Sequence, residues 1–96
     1  MRYLCSQLVA LRCGEFETIV NLEEIWESGA VVECEDAPPL ASYAELHCGG
    51  VTLFGSLKSV DQHAFGWRAE IEFSPLTPWT PERFYPAHLF DPSQMA

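Results

Sequence analysis

The chain has 96 residues, the size of one domain, and its 48% apolar and 12% aromatic content excludes a disordered tail. Fourteen acidic residues against five basic ones give a formal net charge of −9, which opposes nucleic-acid and anionic-membrane partners because their phosphates repel such a surface. No apolar run approaches the roughly 20 residues that span a bilayer, so we expect no membrane partner.

Short runs of alternating apolar and polar residues dominate the chain up to Phe73, and this period of two predicts antiparallel strands with one buried face. The predicted strands are 7–13, 16–20, 30–35, 43–48, 51–60 and a sixth that ends at Phe73. Prolines and glycines separate them at the 36–42 loop and at Gly49–Gly50, a pair that suits a hairpin. One face of the sixth strand is predicted to enter the core and carries Phe65, Trp67, Ala69, Ile71 and Phe73.

The fifth predicted strand is long, and Gly55 in its middle indicates a bulge or a sharp bend. Six short antiparallel strands in a flat sheet would leave two edges open to pairing with other chains. We therefore predict an all-β fold in a single domain, 1–96, with a small six-stranded antiparallel barrel over about 7–73. An open sandwich is the alternative.

Residues 74–96 form a different kind of segment, with five of the seven prolines. Thr80 and Pro81 suit the N-cap and first position of a helix, which predicts a short helix to about Tyr85. Pro86 should end it, because proline lacks the amide that the next helical turn needs. The tail is also rich in aromatic and aliphatic side chains, so we expect it to pack on one end of the barrel.

The four cysteines are widely spaced and are predicted to be free residues near the core: Cys5, Cys13, Cys34 and Cys48. No closely spaced pair suggests zinc, and no nucleophile-elbow or phosphate-loop motif is present. We expect neither an enzyme nor a cofactor protein, although a Cys–His nucleophile pair stays open as an alternative. Residues 1–7 lack the order of a signal peptide, which favours a cytoplasmic location.

The acidic segment from Asn21 to Glu33 (NLEEIWESGAVVE) is predicted to end one strand, turn at Gly29 and begin another. It resembles the second ligand-binding motif of PilZ domains, small bacterial signalling β-barrels that bind cyclic di-GMP. That motif runs Asp or Asn, any residue, Ser, two of any residue, Gly. In this chain Glu24 occupies the position of the acid or amide, and Trp26 replaces the serine. Ser28 comes next but one, followed by Gly29, which matches the glycine of the motif. The order of predicted elements over 2–76 is also similar to that family.

The family also carries an Arg-x-x-x-Arg segment before the first strand, whose guanidinium groups bind the phosphates and stack on the guanines of the ligand. The corresponding positions here are Arg2 and Ser6. The resemblance therefore implies a candidate ligand-binding site made of Arg2, Ser6, Glu24, Trp26, Ser28 and Gly29.

The departures from the family pattern change the functional expectation. Ser6 offers no guanidinium, and between Cys13 and Leu57 the chain has nine acidic residues and no lysine or arginine. Those acids repel a ligand with two phosphates. We predict a degenerate PilZ-like module with weak or no nucleotide binding that acts through protein–protein contacts, as a monomer or homodimer with an unidentified partner. A functional cyclic di-GMP receptor or adaptor is the alternative.

Overall fold

A computed structural model of the chain describes residues 1–40 and 43–94. It contains six strands: β1 (Tyr3–Cys13), β2 (Phe16–Trp26), β3 (Gly29–Cys34), β4 (Ala44–Cys48), β5 (Val51–His63) and β6 (Gly66–Phe73). They form a closed barrel in the order β1-β2-β3-β6-β5-β4, and all neighbouring pairs are antiparallel. The predicted all-β, six-stranded antiparallel barrel is confirmed.

Alternate residues of each strand fill the barrel with aliphatic side chains, which is why a period of two was visible in the sequence. The largest fully buried side chains are Leu11, Leu22, Ile25, Leu46, Leu53 and Ile71. Cys13, Cys34 and Cys48 are buried among them and all four cysteines are free, as predicted. No polar or charged residue is buried in the described ranges, so the interior is purely apolar.

The first two strands are longer than the alternation predicts. β1 begins at Tyr3 because Tyr3 and Leu4 pair with Ile25 and Glu24 of β2. β2 correspondingly continues to Trp26, so the predicted acidic turn shrinks to Glu27 and Ser28, the two residues between β2 and β3. Cross-strand pairing, which local sequence does not encode, extends both strands and places the acids on a strand rather than in a loop.

The prediction that Phe65 faces the core is wrong. β5 continues to His63 and β6 begins only at Gly66, so Ala64 and Phe65 form the tip of a hairpin. Phe65 is fully exposed there, and Ala64 has a φ of 50°, in the left-handed region that only glycine enters freely. The rest of the predicted face holds: Ala69, Ile71 and Phe73 are buried and Trp67 is half-buried.

The tail packs on the barrel, as predicted, but the helix expected from Pro81 to Tyr85 does not form. The amides of Arg83 and Phe84 both donate to the carbonyl of Thr80, which makes a single turn. Pro86 prevents a second one, since it has no amide to donate and disfavours a helical residue before it. The helical residues of the tail are the 3-10 turn Pro92–Gln94.

Between the turn at Thr80 and the 3-10 turn, the tail lies beside the start of β1. Leu4 and Phe90 exchange two backbone hydrogen bonds of 2.9 Å, and the amide of Ser6 donates to the carbonyl of Ala87. β4 pairs with β1 only over Ala10–Arg12, so the tail covers an edge of β1 that the barrel itself leaves open.

The predicted loop 36–42 reaches Leu40 within the described residues, with Pro38 buried; Ala41 and Ser42 lie outside them, as do Met95 and Ala96 of the predicted tail. Across 1–40 and 43–94, no helix is both long and apolar enough to cross a membrane.

Candidate functional site

Four of the six candidate residues lie together where β1 begins, β2 ends and β3 begins. Trp26 and Gly29 are cross-strand partners on either side of the Glu27–Ser28 turn. Arg2 immediately precedes β1, and Leu4 of β1 pairs with Glu24 of β2. Strand pairing thus brings the N-terminal arginine to the second motif, as the resemblance implies.

Arg2 is held by its own neighbours. Its guanidinium carbon lies 3.8 Å from the centroid of the Trp26 ring, a cation–π contact. Its Nη1 is 3.6 Å from Glu24 Oε1, and its Nη2 is 4.0 Å from Glu70 Oε1. The flat cation therefore stacks on an indole of the same chain.

Trp26 also covers the glycine. A methyl group built on Gly29 would lie 2.7 Å from the indole ring and 2.5 Å from the carbonyl oxygen of Ile71, distances too short for any side chain. Gly29 is buried and its φ is not positive. The close approach of β6 and the indole therefore requires glycine at this position, and no positive φ is involved.

Glu24 also forms an ion pair with a second arginine, Arg68, which was not among the residues predicted for the site. Arg68 on β6 donates from Nη2 to Glu24 Oε2 at 2.8 Å and lies 3.7 Å from Glu23 Oε1. A register shift between Leu22 and Glu24 makes this possible, because the bulge places both consecutive glutamates on the outer face. Regular alternation would place adjacent residues on opposite faces of a strand. The cluster of Glu23, Glu24 and Arg68 therefore could not be predicted without knowing of the bulge.

Ser6 and Ser28 do not join it. Ser6 lies in the β1 bulge between Leu4 and Gln7, where its hydroxyl hydrogen-bonds Asn21 Oδ1 at 3.4 Å. Ser28 is exposed in the turn, and its carbonyl accepts a hydrogen bond from the Phe73 amide at 2.8 Å. The structure therefore assembles Arg2, Glu24, Trp26 and Gly29 and leaves the two serines outside.

Glu23 has an unusual titration. Burial raises its pKa to about 7, helped by a hydrogen bond and charge repulsion from Glu33 and by repulsion from Glu24; the Arg68 guanidinium opposes the shift only in part. Glu33 in turn lies 3.7 Å from His63 Nε2. The outer face of β2 and β3 thus carries the neighbouring carboxyl groups of Glu23 and Glu33, and the raised pKa leaves Glu23 partly protonated near neutral pH.

This pair predicts a specific pH dependence of stability. Because the folded pKa of Glu23 is about 7 and its ordinary value is 4.5, the unfolded chain binds fewer protons between these values. Stability should fall as the pH rises through that window and level off above it. Replacing Glu23→Gln should remove this part of the slope and make the variant more stable than the parent above pH 7. Urea unfolding at several pH values measures this, with Glu15→Gln as the control; an unchanged slope in Glu23→Gln would contradict it.

The cysteines are poor nucleophiles in this environment. Burial is the main cause that raises the pKa of the Cys5 and Cys34 thiols to about 11 and that of Cys48 to about 12. The reactive thiolate is therefore a minor form at neutral pH. Within the described part of the chain, no three His, Cys, Asp or Glu side chains are grouped so that they could hold a metal ion.

A separate groove of about 910 Å³ opens on the barrel wall between β2 and the tip of the β5–β6 hairpin. Its apolar side is formed by Leu8, Ile19 and Phe65, three large side chains that are all exposed. Its lining also includes Glu33 and Glu35, and no lysine or arginine is among the described residues that line it. The groove could not be predicted from the alternating pattern, because that pattern places Phe65 in the core.

Comparison with protein-family models finds no match to this chain, and comparisons with curated proteins and with solved structures find none either.

Proposed function

We propose that this chain is a PilZ-like protein-interaction module whose nucleotide position is filled by its own side chains. The observation that carries the proposal is the stack of Arg2 on Trp26 above Gly29. A guanine base and the indole would compete for the same face of the guanidinium, so the ligand would have to displace the ring before it could bind.

The charges around the stack support the same conclusion. Arg2 already faces Glu24 and Glu70, and Arg68 faces Glu23 and Glu24. Each cation is thus matched by carboxylates of the same chain, which also repel an incoming phosphate. A nucleotide with two phosphates would separate these ion pairs and would find no further lysine or arginine between Cys13 and Leu57 to replace them.

The interaction role is supported by what the barrel leaves uncovered. Leu8 and Ile19 on the strands and Phe65 at the hairpin tip are exposed, whereas the other aliphatic side chains of the strands are buried or half-buried. Exposed apolar side chains that gather beside a groove are typical of a surface that contacts another protein. Their acidic surroundings would select a basic partner.

Calorimetric titration of the intact chain with cyclic di-GMP tests the proposal. We expect no binding at micromolar ligand, because the stack and its ion pairs would have to be broken. Micromolar or tighter binding would overturn the proposal and favour the alternative, a cyclic di-GMP receptor or adaptor.

A double variant tests whether the motif has been placed correctly. Trp26→Ser combined with Ser6→Arg should free Arg2 and add a second guanidinium, and each charge-assisted hydrogen bond contributes about 1.5–3 kcal/mol. We expect binding of cyclic di-GMP to become measurable by calorimetry. Ser6→Lys with Trp26→Ser is a matched control that adds the charge without the planar fork. A folded double variant that binds no better than the parent would show that the motif is misplaced.

A further inference from the structure

The barrel wall is incomplete along the first half of β2. β3 pairs with β2 only from Asn21 onward, whereas on its other side β3 follows β6 as far as the Cys34–Trp67 pair. Gly66 keeps this contact tight, since a methyl group built on it would lie 2.5 Å from the Cys34 carbonyl oxygen. β3 therefore ends at Cys34, one residue after its last pair with β2, and the first five residues of β2 have no β3 partner.

The end of β3 at Cys34 leaves a strand edge free. Over Phe16–Val20, β2 is paired on one side with β1, and among the described residues no backbone hydrogen bond reaches its other side. An unpaired edge presents a row of amides and carbonyls that can pair with another extended chain. Thr18, Ile19 and Val20 of this edge line the groove described above.

A second open strand edge in this barrel, that of β1, is covered by the C-terminal tail of the same chain. The open edge of β1 is covered by the tail, which pairs through Leu4 and Phe90 and adds a hydrogen bond between Ser6 and Ala87. A short tail segment, with a turn at Ala87–His88 and one bridge at Phe90, thus covers part of a free edge in this fold. At the β2 edge the chain supplies no such segment in its described residues.

We propose that the groove beside the free edge of β2 binds an extended peptide of mixed basic and apolar residues, which pairs with Phe16–Val20 as an additional strand. This inference rests on the proposed function and names the chemistry of its partner. Apolar side chains of the peptide contact Leu8, Ile19 and Phe65, and its basic side chains reach Glu33 and Glu35.

Charge selects this occupant over a second copy of the chain. A copy would bring its own formal charge of −9 to a groove whose lining already includes two glutamates. A lysine-containing or arginine-containing peptide is attracted to the same glutamates. The exposed Phe65, held out on a tip where Ala64 adopts a φ of 50°, supplies the aromatic contact.

The probe is a short blocked peptide in which lysine alternates with valine, titrated into the intact chain and followed by fluorescence anisotropy. A peptide with glutamate in place of lysine and one with the lysines and valines in separate blocks are the controls. We expect the alternating lysine peptide to bind best and to weaken as salt is added. Amide hydrogen exchange should show new protection at alternate residues of Phe16–Val20, because alternate residues of a strand face one edge.

Two variants with matched controls localise the contact. Phe65→Ser should weaken binding about tenfold through lost apolar burial, and Leu76→Ser, an exposed residue of the tail, should not. Glu35→Lys should weaken the lysine peptide and improve the glutamate peptide, whereas Glu82→Lys in the tail should do neither. Circular dichroism confirms that each variant is folded.

Several outcomes would overturn the inference. They are failure of the lysine peptide to bind, equal binding of the glutamate peptide, and binding that leaves Phe16–Val20 unprotected. A fourth is a chain that sediments as a dimer with these amides already protected, since the occupant is then a second copy. Nucleotide binding is a separate result: Arg2 and Trp26 do not line the groove, so binding of cyclic di-GMP would contradict the proposed function alone.

Discussion

Replacing Gly55 by alanine is expected to destabilise the barrel by about 3 kcal/mol or more, the upper range for forcing extra atoms into a packed structure. Gly55 pairs with Ala44 of β4 on one side and with Phe73 of β6 on the other. A methyl group built there would lie 2.0 Å from the Glu72 carbonyl oxygen and 2.8 Å from its carbon. These are backbone atoms of a paired strand, so no side-chain rotation can relieve the overlap.

Thermal unfolding measures this effect, since each kcal/mol corresponds to a shift of roughly 4–8 °C in Tm for a domain of this size. Gly50→Ala is the matched control: Gly50 lies in the β4–β5 turn, its φ is not positive, and a methyl group there meets no atom within 4 Å. We expect Gly50→Ala to change Tm little. Equal Tm values for the two variants would show that the β5–β6 approach at Gly55 is looser than the structure has it.

Replacing Trp79 by alanine is expected to destabilise the protein by about 3–5 kcal/mol, the range for removing a large aromatic side chain from a core. Trp79 is only 2% exposed, and its Nε1 donates to the Phe84 carbonyl at 2.8 Å. Its ring meets Tyr3 edge-on, with 5.6 Å between centroids, and its amide donates to the Glu27 carbonyl. One residue thus joins the tail to both the start of β1 and the β2–β3 turn.

The matched control for Trp79→Ala is Leu76→Ala, a nearby tail residue that is 87% exposed. Urea unfolding should show a large loss for the first variant and a change within about 0.5 kcal/mol for the second. If Trp79→Ala lost less than about 1 kcal/mol, the tail would be an appendage rather than part of the barrel's cooperative core. Because Tyr3 directly follows Arg2, loosening Trp79 should also disturb the Arg2–Trp26 stack.

Some features of the candidate site could be predicted from the sequence, and others could not. The resemblance implied that Arg2 lies near the second motif, and in the structure Arg2 contacts Trp26 and Glu24. The stacking of Arg2 on Trp26 could not be predicted from the sequence, because it depends on the direction of the Trp26 side chain. Arg68 was even less accessible, since it comes from a strand that is distant in sequence and reaches Glu24 only through the bulge in β2.

Local chemistry explains why the fold class was predictable. Alternation marks the buried face of every strand, and glycine or proline marks most connections, so a closed antiparallel barrel follows from avoiding open edges. The boundaries were less predictable because hydrogen bonding to a neighbour extended β1, β2 and β5 beyond their alternating runs. The same extension of β5 moved Phe65 from the predicted core to a hairpin tip.

The sequence by itself determined an all-β, six-stranded barrel with free buried cysteines, a packed tail and an acidic surface, because these depend on side-chain polarity at short range. The tertiary structure decided three further features: the Arg2–Trp26 stack, the carboxyl pair at Glu23, and the free edge of β2 beside Phe65. Each depends on strand register, bulges and strand ends, which are set by contacts between residues far apart in the chain. Those long-range contacts also form the groove, which local sequence does not reveal.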